Sequence, residues 1–591
     1  MKEKIIQLLS KRFTIPKSEL IEQAIGNFSL TEKVLFYLGV TALILSSLFA
    51  LSAVSNSFMV EVPTRGGSIT EGVIGLPHFV NPVLALSDTD RDLTTLVYSG
   101  LLKATPEGTL IPDLAQSYTI SPDGLTYTFT LKPNLTFHDG TPLTADDVIF
   151  TIEKCQDSGI KSPKRPNWEG VSTKKISDLS VELTLKQPYS PFLENTTIGV
   201  LPKHIWSNVG SDEFSFGQFN IEPVGSGPYK MKSIERNASG IPVAYRLQAF
   251  DEYALGAPLI KTFVFRFFQN NDALINAYQN GTVESIAGIS PTQAQTISGE
   301  GGRIERTPLP RIFAVFFNES HAPVLAYKEV RRALEIATDK QSIVDTVLNG
   351  EGIAIDSPIP PSLLQRDDAA SDTTPSQDKP TEEERIASAK KILEASGWKW
   401  NEEKQVYEKT VKKVVTPLTF SISTSNALEL QAVALMLQSM WQKIGAQVEV
   451  KISEIGELNQ NVIRSRKYDT LLFGEIIGRD LDLFAFWHSS QRNDPGLNIA
   501  LYTNTVADKL LEDARTITDR DTRLVKYRLL QEEIKNDLPA IFIYSPDFLY
   551  LLPARLKGFS FGRVTVPAER FLNVEKWYID TDRVWKIYAP K

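Results

Sequence analysis

The chain has 591 residues, several domain lengths, with 42% hydrophobic and 23% charged residues. Those proportions exclude whole-chain disorder, collagen and a many-span transporter. A net charge of −8 and the lack of a long Lys/Arg run argue against a nucleic-acid partner, because phosphate binding needs a concentrated basic surface. One cysteine, Cys155, excludes a disulfide framework within the chain, and the five histidines, His78, His138, His204, His321 and His488, form no HExxH zinc motif.

The first element is apolar. Val34 to Val54 carries no charge over 21 residues, which as a helix spans roughly 31 Å, close to the hydrocarbon core of a bilayer. Lys2, Lys4, Lys11, Arg12, Lys17 and Lys33 precede it, and the next basic residue is Arg65. The positive-inside rule then puts residues 1–33 in the cytoplasm and the bulk on the extracytoplasmic face. A cleavable signal peptide is the alternative, with Ala50 and Ser52 as a small-residue cleavage site.

Beyond Pro63, short strands and amphipathic helices mix. Leu125 to Leu131 alternates at period two after the turn signature Ser121-Pro122-Asp123-Gly124. Thr144 to Asp147 predicts a helix start. The Thr144 hydroxyl can accept an early backbone N–H, and Asp147 sits at the third helical position, where negative charge suits the dipole. Helices are predicted at Val330 to Leu348, Glu383 to Ser396, Ala427 to Ile444 and Val506 to Lys535. Strands are predicted at Lys261 to Phe268, Arg311 to Phe317, Thr416 to Ser423, Gln447 to Ile452, Thr470 to Phe473 and Ala540 to Tyr544. The alternation after residue 310 predicts an α/β domain with some parallel pairing. Residues 365–384, rich in Asp, Ser, Thr, Pro and Glu, read as a mobile surface insertion.

The chain has no GxSxG, P-loop or dinucleotide fingerprint. Gly225-Ser226-Gly227-Pro228-Tyr229 lacks the Lys-Ser/Thr ending of a phosphate cradle and reads better as a turn between strands. Asp480 and Asp482 near Glu475 can be read as catalytic carboxylates or as solvated, capping ones. Phe484, Phe486 and Trp487 read as core or pocket wall.

One set of segments resembles a known family. It begins with Leu114 to Tyr118, Ser121 to Gly124, Tyr127-Thr128-Phe129, Phe137-His138-Asp139-Gly140 and Thr144 to Val148. It continues with Gly225 to Tyr229, Phe317-Asn318, Val330 to Leu334, Ala337 to Lys340, Ala389, Ile392-Leu393, Gly397-Trp398 and Ile444-Gly445. Tyr468-Asp469, Asn498, Tyr502, Asp508 and Asp537-Leu538-Pro539 complete it. This ordered series resembles the extracellular solute-binding proteins, family 5, the dipeptide-, oligopeptide- and nickel-binding receptors of ABC importers, from Pro63 to the C-terminus. The resemblance implies an α/β, bilobal periplasmic-binding-protein-like (type II) fold with an extra subdomain, here preceded by one transmembrane helix. Lobe I is expected at residues 61–268 plus 541–591, with the subdomain near 100–205, and lobe II at 269–540. The chain is expected to cross between lobes near Phe267 to Asn271 and near Asp537 to Tyr544. Such receptors bind by hinge closure and bury the ligand between lobes.

Peptide-binding members commonly carry Gly-Trp, an aspartate and then Asp-Pro after the Tyr-Asp strand, and that first aspartate pairs with the peptide α-ammonium. Here the stretch is Gly474-Glu475-Ile476-Ile477-Gly478-Arg479-Asp480-Leu481-Asp482, so the Trp and the amine-binding aspartate are missing. Glu475 and Asp480 are the candidate replacements, and Arg479 is a candidate for a ligand carboxylate or a loop arginine. Trp487, Phe317 and Asn318 complete the ligand-binding candidates. No cofactor, metal or catalytic residue is expected. The expected partners are a peptide or peptide-like solute, an ABC permease complex and the membrane through the N-terminal helix. A monomer with no nucleic-acid partner is expected. Two other readings stand beside transport: an extracytoplasmic structural or signalling protein without transport coupling, and a hydrolase on the same scaffold.

Overall fold

The computed structural model describes residues 22, 25–297, 301–364, 380–479, 481–517, 519–562 and 564–589. They fall into two compact units: the described residues up to Thr64 together with those from Asp580, and Arg65–Ile579.

In the first unit a helix spans Leu30–Ser57, with Ser29 and Glu32 forming a capping box at its start. None of its side chains is buried. None of the described residues covers its long apolar stretch. At 28 residues it is about 42 Å long, enough to cross a bilayer. Strand Met59–Pro63 follows and pairs antiparallel with Thr581–Trp585, so this helix runs directly into a ribbon closed by the chain's other end.

The second unit is built on a twelve-stranded sheet. In chain order its strands are β1 (Gly66–Ile74), β2 (Tyr229–Arg236), β3 (Pro242–Ala249), β4 (Ile260–Phe268), β5 (Ser285–Ala287) and β6 (Gly302–Pro308). They continue as β7 (Arg311–Phe317), β8 (Gly352–Ala354), β9 (Thr419–Ser425), β10 (Gln447–Ser453), β11 (Thr470–Ile476) and β12 (Ala540–Pro553). The spatial order is β10-β9-β11-β7-β12-β5-β1-β4-β3-β2, with β6 and β8 also pairing on β12. Parallel β9–β10, β9–β11 and β1–β4 pairs sit beside antiparallel ones, as the strand–helix alternation predicts.

β12 belongs to both halves of this sheet. Its first residues pair with β7, from Phe316↔Ala540 to Phe313↔Tyr544. Its last residues pair with β6, from Pro308↔Asp547 to Gly302↔Pro553. Pro546, which has no N–H to donate, lies where the strand changes partner. Alternate residues of β12 feed different cores: Ile541 and Ile543 one cluster, Ala540 and Phe542 a second, Phe548 and Tyr550 a third, Leu549 and Leu551 a fourth. Burial on both faces is why this strand reads as a nearly unbroken apolar run.

This pairing moves the expected crossings. The family resemblance implies lobe II over 269–540, yet within it β5 pairs with β1, and β6 pairs with the far end of β12. Leu274 and Ala277, on helix Asn271–Gln279, share a core with Leu549 and Leu551. The chain therefore passes between the halves at the β6–β7 junction, Leu309-Pro310, and at Ser545-Pro546. These two points touch: the Ser545 hydroxyl donates to the Leu309 carbonyl at 2.7 Å, and the Leu309 N–H to the Pro546 carbonyl at 3.0 Å.

Other expectations hold or shift slightly. Strands Ala115–Ile120, Thr126–Leu131, Ser180–Thr184 and Ser172–Ser177 form a separate four-stranded sheet with its own core, the added subdomain. Thr144 and Asp147 form a capping box on helix Ala145–Gln156. The helix predicted over Val330 to Leu348 is two, Lys328–Ala337 and Lys340–Val347, because Asp339 caps a new start by accepting from Ser342 N. Likewise Asp519 caps a separate helix Arg520–Asp537 after Thr505–Thr516. Residues 365–379 of the predicted insertion lie outside the described residues, and helix Glu382–Ala395 begins just beyond them. Gly225 and Gly227 press on the backbone of Val97, where a Cβ on Gly225 would lie 2.0 Å from its carbonyl oxygen. That close approach explains the glycines without a phosphate.

A buried ion cluster ties this first half together. Arg570, fully buried, makes five hydrogen bonds: to Glu71 on β1, to Asp92 on helix Asp88–Val97 and to the Pro567 carbonyl. Tyr550 of β12 donates to Glu71 at 2.6 Å. All five guanidinium donors are engaged. Replacing Arg570 with Met strands two buried carboxylates, so we expect a loss of about 3–5 kcal/mol. Thermal and denaturant unfolding of the full chain in detergent should show it; an unchanged midpoint would contradict this role.

Candidate functional site

Where β11 ends, the backbone leaves the second half of the sheet and turns toward the first. Glu475 is still within β11, opposite Ile312 of β7, and is 4% exposed. Neither carboxyl oxygen has a hydrogen-bond partner among the described residues. Burial pushes its pKa well above the ordinary carboxylate value. Burial therefore favours the neutral carboxylic acid, since ionising it would place an unpaired charge in a buried site.

Arg479 follows on the loop, its side chain 8% exposed. Its Nη1 lies 3.4 Å from Glu194 and its Nη2 2.7 Å from Glu569. Glu194 belongs to the short helix Phe192–Asn195 of the added subdomain, and Glu569 to the 3₁₀ turn Pro567–Phe571 beside Arg570. A cation from the second half thus reaches two carboxylates of the first. The expectation that Arg479 awaits a ligand carboxylate meets a different setting: two carboxylates of the chain already face it.

Asp480 lies outside the described residues. Asp482 accepts from Arg515 at 2.7 Å and from the Tyr189 hydroxyl at 3.2 Å. The Ser190 N–H donates to the Arg515 carbonyl at 2.9 Å. The guanidinium of Arg515 also stacks over Phe484 at 3.8 Å. Residues 189–194 of the subdomain are therefore docked on loop 479–484 and on the end of helix Thr505–Thr516.

The other candidates do not join this group. Trp487 is fully buried against Phe316, Tyr502 and Phe542 in the core. Phe317 is buried in the neighbouring core with Val315 and Ile541. Asn318 holds a turn, donating to the Arg466 carbonyl at 2.9 Å and accepting from His321 N at 3.1 Å. Their roles are packing and turn-holding. Sequence reading missed Glu194, Glu569, Tyr189 and Arg515. Nothing local marks them, because they become neighbours of loop 479–484 only through contacts spanning tens to hundreds of residues.

The comparisons with known proteins agree with one another. The model of the bacterial extracellular solute-binding proteins, family 5 Middle, matches residues 109–495. The oligopeptide-binding protein AppA of Bacillus subtilis (strain 168) is 29% identical over 525 residues, 88% of this chain and 92% of that protein. The structure of AppA with a nonapeptide aligns with a TM-score of 0.66 and 28% identity, covering 88% of this chain and 100% of that one. CtaP of Listeria monocytogenes, an ABC transporter substrate-binding protein, aligns at 0.71 and 28%, covering 87% and 100%. NikZ of Campylobacter jejuni with Ni(L-His) aligns at 0.66 and 26%, covering 86% and 99%. The fold is thus the bilobal binding-protein fold with an added subdomain, and it accommodates more than one kind of solute.

The state of Glu475 is measurable. With its folded-state pKa raised, its stabilising share is complete below the unfolded value. That share falls as pH rises and is lost once the folded value is passed. Glu475→Gln should therefore gain on the wild type by about 1.4 kcal/mol for each pH unit over which only the unfolded carboxyl ionises. Denaturant unfolding of both chains at about pH 5 and about pH 8 checks this; a difference independent of pH would mean that Glu475 is ionised in the folded state.

Proposed function

Since this chain belongs to the bacterial extracellular solute-binding proteins, family 5, we propose that it is a membrane-anchored receptor of an ABC importer that binds peptides or peptide-like solutes between its two halves and hands them to a permease. Membership of the family makes it a transport receptor and not an enzyme. The observation that carries the peptide reading is the alignment along nearly its whole length with AppA, named for oligopeptide binding and solved with a nonapeptide.

The geometry supports it. The chain passes between the halves where Leu309-Pro310 and Ser545-Pro546 lie side by side, a connection about which a binding protein can open and close. Away from it, polar contacts between loop 479–484 and residues 189–194 and 569 close the space, and polar contacts can be exchanged with a solute at small net cost.

Native mass spectrometry of the full chain, purified in detergent from its host, tests the reading. Bound species should have peptide masses and fragment as peptides. Consistent recovery of a non-peptide solute would overturn the ligand class, leaving the receptor reading in place.

Anchoring rests on the bare apolar helix Leu30–Ser57 and on the basic residues before it. The chain should stay in the membrane fraction after carbonate washing, with residues 30–57 attached. A mature N-terminus between Ala53 and Ser57, found in the soluble fraction, would show that the helix is a cleaved signal.

A further inference from the structure

Among the described residues of the first unit, none is buried. Its two strands, Met59–Pro63 and Thr581–Trp585, form an isolated ribbon, and a two-stranded ribbon is at best marginally stable in water on its own. The side chains of this ribbon are nevertheless sorted along its length. At the end next to helix Leu30–Ser57, Met59 faces Trp585, and the Lys586 N–H donates to the Phe58 carbonyl at 2.9 Å. Phe58, Trp585, Ile587 and Tyr588 are all exposed there, Ile587 by 75% and Tyr588 by 76%. At the other end the pairs are Glu61 with Arg583, Val62 with Asp582 and Pro63 with Thr581. Aromatic side chains and a lysine thus lie beside the helix, and charged pairs lie away from it.

The helix sets the depth of that aromatic end. Phe58 lies four residues beyond Val54, the last residue of the uncharged apolar run, which places it about 6 Å past the edge of the hydrocarbon. The headgroup layer on each side of a bilayer is about 5–8 Å deep. Trp and Tyr are favoured in that layer because ring and polar tip each meet their own medium. A lysine among them keeps its stem with the rings and its ammonium in water or on phosphate.

We propose that Trp585–Tyr588 is a second membrane contact of this chain, forming with Phe58 an aromatic collar in the outer headgroup layer around the emerging end of the anchor. The partner is the phospholipid surface, because these exposed side chains continue directly from the apolar helix. The proposal rests on the anchoring reading above and adds to it a contact made by residues from the opposite end of the sequence. Such a collar fixes how deep the helix sits. It also holds Arg65–Ile579 to the bilayer through two chain connections, Thr64-Arg65 and Ile579-Asp580, instead of one.

The test places a nitroxide on Ala589→Cys, Thr581→Cys or Leu45→Cys in the full chain, reconstituted in phosphatidylcholine vesicles. Cys155 is buried, so the new thiol labels selectively. Power-saturation electron paramagnetic resonance compares collisions with oxygen, which enters lipid, and with a water-soluble nickel chelate. The Leu45 label should read as hydrocarbon and the Thr581 label as water. The Ala589 label should meet the nickel chelate at least about threefold less than the Thr581 label does, with oxygen collisions kept. Trp585→Ser combined with Tyr588→Ser should restore nickel access at Ala589, whereas Trp585→Phe with Tyr588→Phe should keep the shielding. Both residues are exposed, so the variants should fold, and unfolding midpoints check this. Equal nickel access at Ala589 and Thr581, with Leu45 in hydrocarbon, overturns the collar and leaves anchoring intact. So does shielding that persists in the serine variant. Shielding from both reagents means that protein, such as a second copy of the chain, covers the segment, and overturns the lipid contact. A Leu45 label open to water overturns the anchoring reading and the collar with it.

Discussion

Both halves of the large sheet hang on one fourteen-residue strand, β12. Its backbone completes the ladder of β7 at one end and of β6 at the other. Its side chains enter four different cores. A strand shared in this way must be apolar on both faces along its length and must also change partner without leaving buried donors unpaired. Pro546 meets the second demand by having no donor at the switch. The Ser545 hydroxyl meets it by donating to the Leu309 carbonyl of the adjacent connection. The result is four cores joined through one shared strand.

Burial of charge follows two different rules in the two halves. In the first half, Arg570, Glu71, Asp92 and Tyr550 satisfy one another completely, and the cluster locks β1, β12 and the helix Asp88–Val97 to the C-terminal segment. Where the halves meet, the pairing is looser. Arg479 leaves its Nε without a hydrogen bond among the described residues, Asp482 shares Arg515 with an aromatic stack, and Glu475 is a buried carboxyl with no hydrogen-bond partner among the described residues. Full satisfaction favours rigidity, and partial satisfaction leaves polar groups at a cost.

Much of this was legible in the residues. Strand Arg311–Phe317 has the predicted ends, and Thr144, Asp147 and the turn Ser121–Gly124 act as their local chemistry requires. These are short-range effects, set by period, capping and turn geometry within a few residues. The two predicted long helices each broke at an aspartate that caps a second start, because a strong apolar period can run across a cap and hide it.

The sequence by itself determined the family, the bare apolar N-terminal helix and most elements, since periodicity, charge placement and an ordered series of motifs are properties of the chain alone. Only the tertiary structure decided where one half ends and the other begins, because residues 271–308 and the far end of β12 choose partners hundreds of residues away. Only it separated Trp487 and Phe317, which are packing residues, from Arg479, which faces Glu194 and Glu569. A charged loop reads the same in sequence whether it meets water or two carboxylates from elsewhere. Which of these it meets is fixed by long-range packing.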